Sequence, residues 1–285
     1  MRHERPPMGE AVLLRASNIG KTYGPGCGDC RSHTGPDHGT NICPRCGAVV
    51  ALRDISFDLH EGEILGIVGE SGSGKSTLVQ CIYFDQEATE GQLHLKGYED
   101  AEGVLGLPRS QKRRIRSRMM GMVYQNPLRG LRMNITSGAN VAEKLLDAEV
   151  FHFARIRARA RELLESTEIP EAYMDILPRA LSGGMQQRIQ IAKALANNPP
   201  LVLLDEVTSG LDVSVQARVL DLVRALQRDR GISMIVVSHD MGVIRLLADR
   251  TFVLKNGCVV EWGLTDQILE DPQHPYSQLL VHSML

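Results

Sequence analysis

Two groups of residues in this sequence are spaced for chemistry. The first is Gly69-Glu70-Ser71-Gly72-Ser73-Gly74-Lys75-Ser76-Thr77, which follows the apolar run Ile64-Leu65-Gly66-Ile67-Val68. The pattern G-x-x-x-x-G-K-[ST] suits a strand that turns through glycines into a helix, so backbone N–H groups and the positive helix end converge on an anion. Gly69, Gly72 and Gly74 let the backbone curl around phosphate oxygens, Lys75 reaches the β- and γ-phosphates, and Ser76 offers an oxygen to Mg²⁺; Ser71 and Thr77 belong to the same nucleotide-binding set. The second group is Cys27/Cys30 and Cys43/Cys46, two C-x-x-C pairs with twelve residues between them. Such pairs can place four thiolates tetrahedrally around one Zn²⁺, and an iron–sulfur cluster is the other metal that uses four thiolates. His33 and His38 lie between the pairs and could replace a ligand, although exposed histidines are the plainer reading.

Several other positions say little singly. Asp205-Glu206 ends an apolar run, where one carboxylate can hold the water shell of Mg²⁺ and the next can orient an attacking water. Gln125 has an amide able to touch both the metal shell and that water. Leu181-Ser182-Gly183-Gly184-Met185-Gln186-Gln187-Arg188 is a second serine–glycine turn opening a second helix, hence a second anion-binding N-terminus. His239 follows a buried run, where a lone histidine usually has no special role.

The elements that must position these groups follow from periodicity. Strands are expected at 12–23, 49–52, 55–59, 91–97, 120–124, 201–206 and 234–238, the later ones continuous apolar runs of the kind buried in parallel sheets. Acidic residues at the end of the 201–206 strand sit where α/β sheets place ligands. Helices are expected at 140–146, 155–164, 213–228 and 242–247, and Asn256-Gly257 marks a hairpin. Residues 24–47 are rich in glycine, proline and histidine and read as an insert. Cys81 and Cys258 read as small buried apolar residues.

With 285 residues, 43% of them hydrophobic, the chain can bury one sizeable core plus a smaller subdomain. A net charge of −2 argues against a nucleic-acid coat, so no nucleic-acid partner is expected. Basic clusters at Arg109, Lys112, Arg113, Arg114, Arg116 and Arg118 and at Arg155, Arg157, Arg159 and Arg161 read first as solvated helix surfaces and second as docking sites for an acidic partner or RNA, although no aromatic residues interleave to stack on bases. No apolar run reaches the roughly 18 residues of a membrane span. Met1 to Pro7 lacks a signal peptide's apolar core, so the expected location is cytoplasmic.

Taken together, these stretches resemble an ABC-type ATPase. The resemblance implies an α/β P-loop nucleotide-binding domain over 1–285, with a cysteine-rich, zinc-ribbon-like insert at 24–47, a helical subdomain at 126–185 and a C-terminal hairpin and tail at 256–285. It implies a Mg²⁺-dependent ATP hydrolase whose sites form in a dimer with a second ABC ATPase subunit, identical or paralogous. On that basis Ser182 and Gly184 contact the γ-phosphate in trans, and Ser209-Gly210-Leu211-Asp212 couples the two sites. Tyr23 stacks on adenine, His239 senses the γ-phosphate, Glu206 orients water, and Asp205, Gln125 and Ser76 serve the metal. Val207 stands where the family commonly has proline.

Three stretches narrow the resemblance. These are Tyr124 to Arg132, Gly210 to Arg218 and Asp271 to Leu280, the last containing His274-Pro275-Tyr276. Together they are similar to ATP-binding subunits of bacterial carbon–phosphorus lyase systems, which implies a soluble phosphonate-degrading core complex as partner. Peptide and nickel importer ATPases share the second stretch and the His-Pro-Tyr tail. In that alternative the chain is a transport motor and needs a membrane permease.

Overall fold

The computed structural model describes residues 11–98 and 103–282, so the reading of Met1 to Pro7 lies outside the described residues. In chain order the elements are β1 (Val12–Tyr23), β2 (Val49–His60), β3 (Ile64–Val68), α1 (Lys75–Ile82), β4 (Glu90–Leu95), α2 (Arg109–Arg118), β5 (Met120–Val123), α3 (Pro127–Gly130), α4 (Ser137–Asp147), α5 (Phe153–Ser166), α6 (Gly183–Ala194), β6 (Leu201–Asp205), α7 (Val213–Arg230), β7 (Ser233–Val237), α8 (Met241–Leu247), β8 (Arg250–Lys255), β9 (Cys258–Leu264), α9 (Thr265–Glu270) and α10 (Pro275–His282). The chain divides into two compact units, one of residues 1–107 and 235–285 and one of residues 108–234.

The first unit holds an antiparallel sheet of order β2-β1-β4 and the strands β7, β3, β8 and β9, neighbours in that order. The two expected strands at 49–52 and 55–59 are one strand, β2, because the ladder with β1 continues past Arg53 and Asp54 through a register shift. β3 is buried along its whole length and pairs parallel with β8, as its uninterrupted apolar run requires. Cys81 is buried as expected, but Cys258 is only half-buried, since it starts strand β9 at the edge of the sheet.

A buried ion pair ties the start of β3 to β8. The carboxylate of Glu63, with no exposed surface, accepts from Arg250 Nε at 2.6 Å and Nη2 at 3.1 Å, and from the His60 amide at 2.7 Å. Arg250 Nη2 also donates to the Asp58 carbonyl at 2.6 Å. Arg250 keeps 16% of its side chain exposed, so Glu63→Ala leaves a partly solvated charge and is expected to lower the unfolding free energy by about 1.5–3 kcal/mol, measured by urea titration. A loss under about 0.5 kcal/mol would mean that water fully replaces the carboxylate at the guanidinium.

The second unit carries β5 and β6, paired in parallel from Met120↔Leu201 to Val123↔Leu204, and the helices α2 to α7. Several of its arginines pair with local acids. Arg157 pairs with Asp175, Arg161 with Glu171, Arg113 with Asp147 and Arg118 with Glu149, which fits the solvated-surface reading of the basic clusters.

Candidate functional site

The glycine-rich turn joins β3 to α1 in the first unit. Gly74 caps α1 at φ +109°, a left-handed backbone that a side chain strains, and a Cβ there would overlap the Ala51 carbonyl. The Lys75 ammonium is buried and folded back onto the loop, donating to the Gly69 carbonyl at 2.7 Å and the Glu70 carbonyl at 2.9 Å. No side chain caps α1, whereas Ser182 caps α6, Asp212 caps α7 and Asp240 caps α8. An uncapped helix start wrapped by a glycine turn, with a buried ammonium beside it, fits a phosphate tail as the missing cap. Ser71 and Gly72 are exposed at the turn, and Ser76 and Thr77 lie half-buried in the first turn of α1. Ser238 N donates to Ile67 O at 3.1 Å, so β7 ends alongside β3 and the exposed His239 follows at the same sheet edge. Tyr23 ends β1, about one-third exposed at 37%, with Lys21 Nζ 4.9 Å from its ring centroid.

The acidic pair belongs to the second unit. Parallel pairing of β5 with β6 brings Gln125 and Glu206 out at neighbouring strand ends. Gln125 Nε2 donates to Glu206 Oε2 at 2.9 Å and lies 3.4 Å from Ser209 Oγ. Asp205 is buried at the end of β6, and Glu206 takes φ +48°, turning the backbone out of the strand. Val207 is buried, 3% exposed, so the residue standing in place of proline is packed. Ser182 Oγ accepts from Met185 N at 3.3 Å, and a Cβ on Gly184 would run into Val215 of α7. The Val215 amide and then the Ser214 hydroxyl hold the Asp212 carboxyl below its usual range.

Three supports escaped sequence reasoning. Gln187 and Gln190 on α6 are both buried, and both donate to the Tyr124 carbonyl, at 3.3 and 3.2 Å, fixing the residue before Gln125. Polar side chains three apart among buried Ile189 and Ile191 were the available signal. The third is Tyr276 of α10, whose hydroxyl accepts from the Glu70 amide at 3.0 Å. No local pattern announces a contact across 206 residues. Tyr276→Phe keeps the ring and deletes the acceptor. ATP affinity is expected to fall about three- to tenfold, the size of one lost hydrogen bond, with kcat changed less than twofold. Equal KM values for variant and parent would remove Tyr276 from the support of the loop.

The insert brings all four expected cysteines together. Sγ separations are 3.5 Å for Cys27–Cys30, 3.7 Å for Cys27–Cys43 and 3.5 Å for Cys30–Cys46, and all four lie within 4.8 Å of one another. Around one tetrahedral ion with bonds of about 2.3 Å, the edges would measure roughly 3.8 Å. An iron–sulfur cluster spreads its four thiolates over two or four irons and so holds some of them farther apart than one ion does, and four sulfurs all within 4.8 Å suit a single ion. Backbone N–H groups of Cys46 first, then Arg45, against burial, bring the Cys43 thiol down to about 7. At Cys30 the Cys27 amide pulls the same way, but burial and the neighbouring sulfurs outweigh it and push the thiol up to about 12. His33 and His38 stand 6.5 Å apart, ring to ring, and outside the four-sulfur group.

The described residues include no helix long and apolar enough to cross a membrane. The family model described as ABC transporter matches residues 52–209. The chain is 50% identical over 232 residues to the phosphonates utilization ATP-binding protein PhnK of Escherichia coli K12, covering 81% of this chain and 90% of that protein. It is 39% identical over 249 residues to the oligopeptide transport ATP-binding protein OppD of Bacillus subtilis 168, covering 84% of this chain and 67% of that one. Among solved structures, the dimeric post-hydrolysis state of the ATP-binding cassette MJ0796 with ADP and Pi superposes with a TM-score of 0.74 at 30% identity, over 89% of this chain and 99% of that chain. A phosphate loop on α1, an acidic pair ending β6 and these likenesses agree: the chain is an ATP hydrolase and belongs to the ABC transporter family.

Proposed function

We propose that this ATPase docks on a carbon–phosphorus lyase core complex and couples ATP hydrolysis to its remodelling during phosphonate breakdown. The observation that carries this reading is the 50% identity to PhnK across 90% of that protein, against 39% to OppD across 67%. Lys75 neutralises phosphate charge, and Ser76, Gln125 and Asp205 would hold Mg²⁺, which would offset more of that charge when bound; Gly69, Ser71, Gly72, Gly74 and Thr77 form the cradle. Tyr23 stacks on adenine, Glu206 orients the attacking water, and His239 monitors the γ-phosphate. Ser182, Gly184 and Asp212 act across a dimer with a second ATPase subunit, and closure excludes solvent. Cys27, Cys30, Cys43 and Cys46 hold one structural Zn²⁺ with no open coordination position.

An affinity pull-down of tagged protein from its own cells, without crosslinker and with soluble and membrane fractions separated, tests the docking partner. Stoichiometric recovery of soluble phosphonate-lyase proteins is the expected result. Recovery of an integral membrane permease would overturn it and make the chain the motor of a peptide- or nickel-type importer, the reading that the OppD likeness favours.

A further inference from the structure

We propose that Asn41 couples the four-cysteine centre to the phosphate loop, so that metal occupancy sets nucleotide affinity. The proposal rests on the reading of the four cysteines as a metal site. Asn41 stands two residues before Cys43, and its side-chain Nδ2 donates to the carbonyl of Gly72, in the middle of the phosphate loop, at 3.2 Å. Its own backbone is pinned to the insert: the Val50 amide donates to its carbonyl at 2.8 Å, and the next residues pair as Ile42↔Val49 and as Cys43 N to Ala48 O at 2.8 Å. The position of Asn41 therefore depends on the turn that carries Cys43 and Cys46.

A second route joins the same two places. Gly257 donates to the Ser73 carbonyl of the loop at 2.9 Å and accepts from the Arg53 amide at 2.8 Å. A Cβ at Gly257 would stand 2.9 Å from the carbonyls of Val50 and Ala51, so the strand leaving the insert lies directly against it. The Arg53 guanidinium reaches back, donating to the Arg31 carbonyl at 2.8 Å and the Thr34 carbonyl at 3.3 Å, just after Cys30. Both cysteine pairs are thus tied to loop carbonyls through one or two residues.

The apolar packing of the insert is chiefly its sulfurs. Its small buried cluster is Cys30, Cys43, Ala48 and Val50, with Cys46 packed against it. Two of these five residues are not cysteines, which is too little apolar surface to hold a glycine- and proline-rich segment against its chain entropy. Metal binding orders the segment and with it Asn41; losing the metal releases Asn41 and leaves the loop without one side-chain support. Because coupling between two binding events is reciprocal, nucleotide must tighten metal binding by the same factor.

The test uses the full chain and its Asn41→Ala variant, each zinc-loaded and zinc-stripped, with a non-hydrolysable ATP analogue and Mg²⁺ as the probe. Zinc-loaded Asn41→Ala is expected to bind the analogue about fivefold more weakly than the parent, the loss of one neutral hydrogen bond. Stripping zinc from the parent is expected to weaken binding about tenfold, and stripping it from Asn41→Ala about twofold further at most, since the transmitting contact is already gone. In the zinc-loaded parent, saturating analogue should raise zinc affinity about tenfold against a competing zinc-selective chelator, and this arm holds even if stripped protein unfolds. Parent-like affinity in zinc-loaded Asn41→Ala, or zinc affinity indifferent to the analogue, overturns the coupling while leaving the metal site standing. Purified protein free of zinc and iron overturns the metal site and the coupling together.

Discussion

Replacing Glu206 with glutamine is expected to lower ATP turnover by about 10²- to 10⁴-fold, the span typical of losing a positioned base, while ATP affinity stays within about threefold. The expectation grows from the strand ends upward. Parallel pairing of β5 and β6 sets Gln125 beside Glu206, and the amide of Gln125 donates to Oε2 at 2.9 Å, so the carboxylate is aimed by a donor. Behind Gln125, the buried amides of Gln187 and Gln190 fix Tyr124. A carboxylate can accept from Gln125 with one oxygen and from a water with the other. Glutamine at 206 still has an acceptor oxygen for Gln125, but it carries no negative charge and no basic oxygen, so it cannot polarise the attacking water or take its proton. Lys75 and the glycine cradle are untouched, which is why binding survives. Dimers closed on ATP should then accumulate, seen by size-exclusion chromatography with ATP and Mg²⁺ against ADP. Turnover within about threefold of the parent would give the water-orienting role to another residue.

Most of the residues in that argument are readable from the sequence, because they fall in short, local patterns. An apolar run, a glycine turn and a lysine specify β3, the loop and α1 within fourteen consecutive positions, 64–77. The cysteine pairs are equally local, and their spacing alone points to four sulfurs around one centre. Strand ends shift by about one residue, as with β7 at Ser233–Val237 rather than 234–238, since end residues keep strand patterning after the ladder stops. What stays hidden is support from a distance. Tyr276 under the Glu70 amide, Arg250 on Glu63 and Asn41 on Gly72 join positions 206, 187 and 31 residues apart, and side-chain periodicity carries no information on such pairs. Two side-chain supports of the phosphate loop, Asn41 and Tyr276, also lie outside the 52–209 stretch that the family model matches. The loop itself is common to the family, whereas these two supports come from segments on which the family model is silent.

Those outlying segments make the second large effect a loss of metal. Cys43→Ser is expected to drop bound metal from about one equivalent per chain to less than about a tenth, and to abolish the visible absorption of Co²⁺ held by thiolates in the parent. If the four sulfurs hold the ion, Cys43 is the critical ligand on two counts. It is almost wholly buried, so nothing from solvent can replace it, and backbone N–H groups bring its thiol down to about 7, towards the thiolate that binds metal. Serine keeps the shape but offers a hydroxyl that stays protonated in this range and binds Zn²⁺ poorly. Three thiols remain, one of them at Cys30 pushed up to about 12 and dependent on the ion to ionise. Structural sites of four cysteines contribute about 10–16 kcal/mol of apparent binding free energy at pH 7, so losing one ligand is felt as loss of order in the segment. These sulfurs touch the β-sheet cores only at Val50, at the start of β2, so the variant should keep its parent far-ultraviolet circular dichroism to within the contribution of residues 24–50. Cys258→Ser is the matched control: Cys258 is half-buried at the start of β9 and outside the four-sulfur group, so metal content should stay at one equivalent. A Cys43→Ser protein with a full equivalent of zinc would place the ion elsewhere in the chain; a control that loses its zinc would extend the site beyond the four sulfurs.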